Sequence, residues 1–164
     1  MCRTRLAACL LIAAAAPLVG CGGDDDKTTG KAQLSQAGDR QGAEDTVRDY
    51  LRALVNKDGD AACAKLTPAY RRSVLEQNAE FAKKQHAKTC GELIDAVTRE
   101  SRTVTFEGQP LNSRTVGKIK LVVSLRQGGE EQNATVAGTQ GLQRYELITG
   151  DGKWLIEEIE QAGG

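Results

Sequence analysis

Lys118-Ile119-Lys120-Leu121-Val122-Val123-Ser124-Leu125-Arg126 alternates with a period of two: Ile119, Leu121, Val123 and Leu125 against Lys118, Lys120, Ser124 and Arg126. Successive side chains of an extended chain point to opposite faces, so this is an antiparallel strand with one face buried and one wet. Downstream, Gly128-Gly129 turns the chain and residues 132–137 can pair back. Residues 142–149 and 153–160 then form a hairpin across Gly150-Asp151-Gly152. Upstream, Val104 and Phe106 alternate with Thr103, Thr105 and Glu107 until Gly108-Gln109-Pro110 breaks the run.

Before Ser101 the period is that of a helix. Ala43, Val47, Tyr50, Leu51, Leu54 and Val55 recur on one helical face. That helix is predicted to stop at Asn56-Lys57-Asp58-Gly59, with Gly59 as a left-handed cap and Asp60 opening a short helix to Leu66. Thr67-Pro68 reads as a cap and first turn of another helix, to about Leu75. A longer one is predicted from Asn78 to Val97 or Thr98, its inner face carrying Ala82, His86, Cys90, Leu93, Ile94 and Val97. Helices followed by a four- or five-stranded meander make an α+β fold, with the helices on one sheet face.

The N-terminal 42 residues carry a different pattern. Arg3 and Arg5 precede an apolar run over residues 6–16, too short to span a bilayer and laid out as a signal peptide. Leu18-Val19-Gly20-Cys21 follows at once and resembles the lipobox of bacterial lipoproteins. That resemblance implies cleavage after residue 20 and lipidation of Cys21, its sulfur thioether-linked to diacylglycerol, with a further fatty chain of the palmitate class. The protein would then sit at the outer face of the cell membrane, in the envelope. The plainer alternative is a secreted chain cut near Gly20 with Cys21 as a spare thiol. Residues 22–42, which include Asp24-Asp25-Asp26 and almost nothing apolar, read as a solvated flexible tether, the aspartates solubilising rather than binding metal. The expected organisation is therefore signal peptide 1–20, lipidated tether 21–42 and one folded domain 43–161.

Of five cysteines, Cys2 and Cys9 leave with the leader, and lipidation of Cys21 leaves the pair Cys63 and Cys90. An exported chain meets an oxidising compartment, so these two are expected to be joined. Free or zinc-binding thiols with His86 as a third ligand are the alternative, but a fourth ligand at suitable spacing is missing. No metal or cofactor is expected. Removing the leader leaves 20 basic against 22 acidic side chains, which gives nucleic acid no general attraction. The aromatic share of 4% argues likewise against a base-stacking surface.

Val47-x-x-Tyr50-Leu51-x-Ala53-Leu54, Gly59-Asp60-x-x-Cys63-x-x-Leu66-Thr67-Pro68 and Gly152-Lys153-Trp154-Leu155-Ile156 resemble the nuclear transport factor 2-like superfamily (SnoaL-like, cystatin-like cone), notably its small exported lipoproteins. The resemblance covers residues 43–161. It implies helices on a strongly curved sheet with a pocket at the wide end, a fold that hosts isomerases, cyclases and dehydratases beside many members without chemistry. His86, Tyr50 and Trp154 are the candidate pocket residues, with Tyr70 a further hydroxyl. Each has a structural alternative: a solvated helix flank for His86 and core packing for Tyr50 and Trp154. Glu107, Glu146 and Glu157 lie in strands, but their flanks suit a wet face, so no inward carboxylate is evident. Phosphate-loop, Gly-x-Ser-x-Gly, His-Glu-x-x-His and Cys-x-x-Cys motifs are all missing, and Asn133-Ala134-Thr135 is a chance glycosylation match. The sequence thus favours a non-catalytic binding or interaction module, with a small hydrophobic ligand, an envelope protein or a second copy as partner. The alternative is a small acid–base enzyme acting on a hydrophobic substrate in the cone pocket.

Overall fold

A computed structural model describes residues 36–128 and 131–161. The expected signal peptide, Cys21 and the expected tether as far as residue 35 lie outside the described residues. Among the described residues no helix is long and apolar enough to cross a membrane. The architecture is α+β: five helices lead into a curved, four-stranded antiparallel sheet.

Helix α1 (Gln36–Asn56) buries the expected stripe, with Val47 fully enclosed and Leu51 nearly so. Removing a side chain such as Leu51 from water contributes about 2 kcal/mol. The helix starts at Gln36, inside the stretch whose composition reads as tether. Arg48 of α1 donates to the carbonyls of Val116 (3.1 Å) and Ile119 (2.9 Å), holding the short 3-10 turn Val116–Lys118 against the helix.

The chain then reverses, but Gly59 is not the cap. Lys57 takes the left-handed conformation (φ 57°), and Asp58 caps α2 (Gly59–Ala64) by accepting from the Ala61 N–H at 2.9 Å. Gly59 is needed for another reason. Its N–H donates to Asp95 Oδ1 at 2.7 Å, and a Cβ there would collide with the carbonyl of Gly91. Two glycines thus let α2 lie directly on α5 (Cys90–Glu100), and the Cys63–Cys90 disulfide joins the two helices with 6.1 Å between Cα atoms. The thiols are therefore spent on each other, which removes them as metal ligands. Closing a ring of this length stabilises by about 3.5 kcal/mol on chain-entropy grounds.

Thr67 and Pro68 open α3 (Pro68–Gln77) as expected, Thr67 Oγ1 accepting from the Tyr70 N–H at 3.1 Å. The single long helix expected from Asn78 is instead two. α4 (Ala79–Gln85) closes at His86, which is left-handed (φ 56°), and α5 opens at Thr89. Thr89 and Glu92 form a reciprocal capping box, a restart that outweighs the continuing apolar period. The backbone N–H groups of Lys88 and Thr89 hold the Glu92 carboxyl below the usual glutamate range.

After α5, a small hairpin pairs β1 (Thr105–Phe106) with β2 (Gln109–Pro110) around Glu107-Gly108, both at positive φ. The main sheet runs β3 (Leu121–Gly128), β4 (Glu131–Gly138), β5 (Gln143–Gly150) and β6 (Lys153–Gln161) in chain order, all antiparallel. The hairpin expected across Gly150-Asp151-Gly152 joins β5 to β6, and its turn is the pair Asp151 and Gly152, at φ 51° and 72°, since Gly150 is already paired with Lys153. Ala134, Val136, Tyr145, Leu147, Trp154 and Ile156 form the buried face under α1.

Of the strand acids, Glu157 is exposed within β6 as its flanks suggested, at an irregularity the sequence did not show, and Glu107 differs from its reading. Glu157 is the extra residue of a β-bulge, since Leu147 pairs with Ile156 while Glu146 pairs with Glu158. The bulge brings Ile159 rather than Glu158 back to the inner face and bends the strand. Glu107 is not on a wet strand face but in the hairpin turn, buried, its carboxylate accepting the Gln140 N–H at 2.8 Å. It caps the β4–β5 turn over Gly138, where any side chain would strike the carboxylate. Its job is structural.

Candidate functional site

Between α1, α3, α5 and the inner end of β5 and β6 lies a cavity of about 470 Å³. That size is ordinary for a small-molecule site. Each wall follows from a local sequence feature. The α1 stripe presents Tyr50, Leu51 and Leu54, and the capping box at Thr89 sets the rotation at which α5 presents Leu93, Ile94 and Val97. Thr67-Pro68 aims α3 so that Tyr70 and Val74 form the roof. The bulge in β6 returns Ile159 to the cavity beside Tyr145.

α3 has no fully buried residue and α4 only Ala82, so this roof is held far more lightly than the floor. Val97 is 40% exposed although it lines the cavity, which puts it at the mouth.

The polar groups in the wall are uncharged. Tyr50 and Tyr145 meet edge to face, ring centroids 6.2 Å apart and planes inclined by 68°. Burial pushes both phenols well above the usual tyrosine range; Tyr70 adds to the shift of each, and Tyr50 adds to that of Tyr145. Tyr70 is pushed up as well, first by burial and then by exposed Glu158; a backbone hydrogen bond with Ile159 acts the other way. Thr98, Ser101, Thr103 and Thr105 add hydroxyls, and Gln143 and Gln161 add amides from the paired ends of β5 and β6. The Gln143 side-chain carbonyl is buried without a hydrogen-bond partner among the described residues. No carboxylate, imidazole, ammonium or guanidinium lies among the lining residues.

Of the candidate pocket residues, only Tyr50 lines this cavity. His86 is a correction: the break between α4 and α5 leaves it exposed at the end of α4, away from the cavity. Trp154 is another. It is buried against Gly42 of α1, so close that a Cβ on the glycine would touch the indole, and it serves the core. Tyr70, named as a hydroxyl, does line the cavity. Tyr145 and Gln143 were missed, although the alternation through residues 142–149 puts both on the inner face. What betrays their role is a polar residue on the face that otherwise buries Leu147.

A shallower hollow of about 340 Å³ lies beside the β1–β2 hairpin, with Lys118, Lys120 and Thr115 in its wall. The one acid there, Glu107, is already committed to backbone N–H groups. Among the described residues no group of three His, Cys, Asp or Glu side chains is placed to hold a metal ion. No protein-family model, curated protein or solved structure matches this chain.

Proposed function

We propose that the protein is a non-catalytic binding module of the bacterial cell envelope, anchored by lipid on Cys21 and holding a small apolar molecule in the cavity between α1, α3, α5 and the sheet. The observation that carries this reading is the lining: apolar side chains interspersed with neutral polar ones around a cavity of ligand size, with no ionised group among them. Acid–base catalysis at neutral pH needs a group whose pKa lies near neutrality within reach of the substrate. The titratable groups in this wall are tyrosines, all shifted away from neutrality. That favours retention of a ligand over its conversion.

Helices lying on a curved antiparallel sheet, with a cavity between them, also suit a nuclear transport factor 2-like cone, and that is the finer fold we assign. The lipobox resemblance of Leu18-Val19-Gly20-Cys21 supports the anchor. On this reading the partners are the membrane, through the lipid, and the ligand.

The test is fluorescence titration of the full chain, carrying Cys21→Ala so that no acyl chain or micelle competes, with the neutral apolar dye Nile red. Saturable binding at one site with a dissociation constant on the order of micromolar is expected. An absence of saturable binding by the folded protein would contradict the reading.

A further inference from the structure

The hollow beside the β1–β2 hairpin carries the charge that the central cavity lacks. We infer that it is an anion site for a phosphate ester, in which the ammonium groups of Lys118 and Lys120 hold the phosphate over an apolar floor of Phe106, Pro110, Leu111 and Ile119. It shares no lining residue with the central cavity and does not depend on that cavity's being occupied.

The charge pattern leads there first. The whole chain balances 22 basic against 22 acidic side chains, yet residues 109–128 carry Arg114, Lys118, Lys120 and Arg126 and no acid. Acids gather instead at the other edge of the sheet, with Glu157, Glu158 and Glu160 on β6. Two of the four cations, Lys118 and Lys120, line the hollow, and both are exposed. The ion pairs among the described residues engage Arg48, Arg52, Lys65 and Arg144, so neither lysine is neutralised by a carboxylate there. Glu107, the acid of this wall, is buried and turned to the N–H groups of Gln140 and Leu142. The two lysines are also held in position. They flank Ile119, whose carbonyl accepts from Arg48 as that of Val116 does, and this pins their backbone to α1. An ammonium is a compact point charge with three donors, well suited to phosphate oxygens. Gln109, Thr139 and Gln140, exposed around the same hollow, add donors of their own. The floor of carbon beneath them favours an ester with hydrocarbon attached over bare phosphate.

The inference is tested by calorimetric titration of the full chain carrying Cys21→Ala, at low ionic strength, where exposed charges are least screened. The probes are dihexanoylphosphatidylglycerol and dihexanoylphosphatidylcholine, both below their micelle concentrations. They share their chains and a phosphate, but only the first is a net anion. It is expected to bind about tenfold or more tighter than the second, the effect of two surface cations on one anion. Lys118→Gln with Lys120→Gln should abolish that preference. Lys83→Gln with Lys84→Gln, an equal loss of charge on exposed positions of α4, should preserve it. Glycerol 3-phosphate identifies the source. Affinity about tenfold below that of the anionic lipid assigns the site to lipid at a membrane surface. Equal affinity keeps the anion site, assigns it to a soluble ester and overturns the part given to the floor. Parity of the two lipids in the unaltered protein, the same loss in both lysine pairs, or no binding of any of the three probes would each overturn the anion site. Every one of these results leaves the Nile red titration, and with it the reading of the central cavity, to stand or fall separately.

Discussion

Tyr50, Tyr70 and Tyr145 are the chain's three tyrosines, and all three line the cavity. Their environment has a measurable consequence. Each phenol's folded pKa lies above the unfolded value near 10, so the folded state keeps protons that the unfolded chain releases. Stability is therefore whole below about pH 10 and falls as pH rises from there toward the folded values. Alkaline absorbance titration is expected to show little phenolate while the fold persists, then a cooperative rise as it unfolds. Three phenols ionising reversibly near pH 10 in a folded protein would contradict the buried cluster. The tyrosine side chains were visible as candidates in the sequence only in part. Tyr50 and Tyr70 sit in helical stripes that a sequence can reveal. Tyr145 lies between Gln143 and Leu147 on the inner face of the alternation through residues 142–149, but its meeting with Tyr50 of α1 is a contact between elements that no single stretch of sequence shows.

At the scale of elements, the decisive junction is that of α2 with α5. Gly59→Ala is expected to destabilise by about 1–3 kcal/mol or more, because its Cβ meets the Gly91 carbonyl, which cannot move without shifting α5. Gly91→Ala meets the Asp60 carboxylate, a flexible end that can swing aside, and should cost less. Thermal melts of the two variants check this, and equal losses would contradict the asymmetry. Reduction of Cys63–Cys90 at the same junction should lower the melting temperature by about 10 °C or more, since the ring contributes about 3.5 kcal/mol. An unchanged melt would show that the glycine contact and the core alone hold the helices. Most of these elements were legible. The period-two runs gave all four strands of the sheet within a few residues, and Thr67-Pro68 opened its helix where expected. The break at His86 was not, because the apolar period runs on across it from Ala82 to Cys90. Thr89-x-x-Glu92 carried the information, in a short polar signal that the longer apolar one masked. The bulge at Glu157 escaped for a related reason: one inserted residue shifts the inward face, and nothing in a lone strand announces it.

For the whole molecule, location and ligand are linked proposals. A protein held at the membrane surface by acyl chains would stand beside a reservoir of apolar molecules, and a cavity without ionised groups suits such molecules. The anchor is tested by Cys21→Ala, which should move the protein from the membrane fraction to the soluble one, because one residual contact or none cannot replace two or more buried chains. Continued sedimentation with membranes would contradict it. The sequence spoke clearly about this anchor motif and about the α+β layering, yet it placed the functional centre poorly. It put His86 and Trp154 at a pocket that is lined instead by apolar and neutral polar side chains drawn from several helices and strands. A cavity is a property of packed surfaces, and no periodicity within one element encodes the space left between several.

The account stands or falls on that space being occupied. Val97 lies at its mouth with its own side chain 40% exposed, so Val97→Trp should obstruct the cavity without disturbing the core. Nile red titration of this variant, with its melt recorded alongside, is the most direct measurement. The expected result is an unchanged melt with dye affinity reduced about tenfold or more. Undiminished dye binding by a folded Val97→Trp protein would place the site elsewhere and contradict the assignment of function to the cavity.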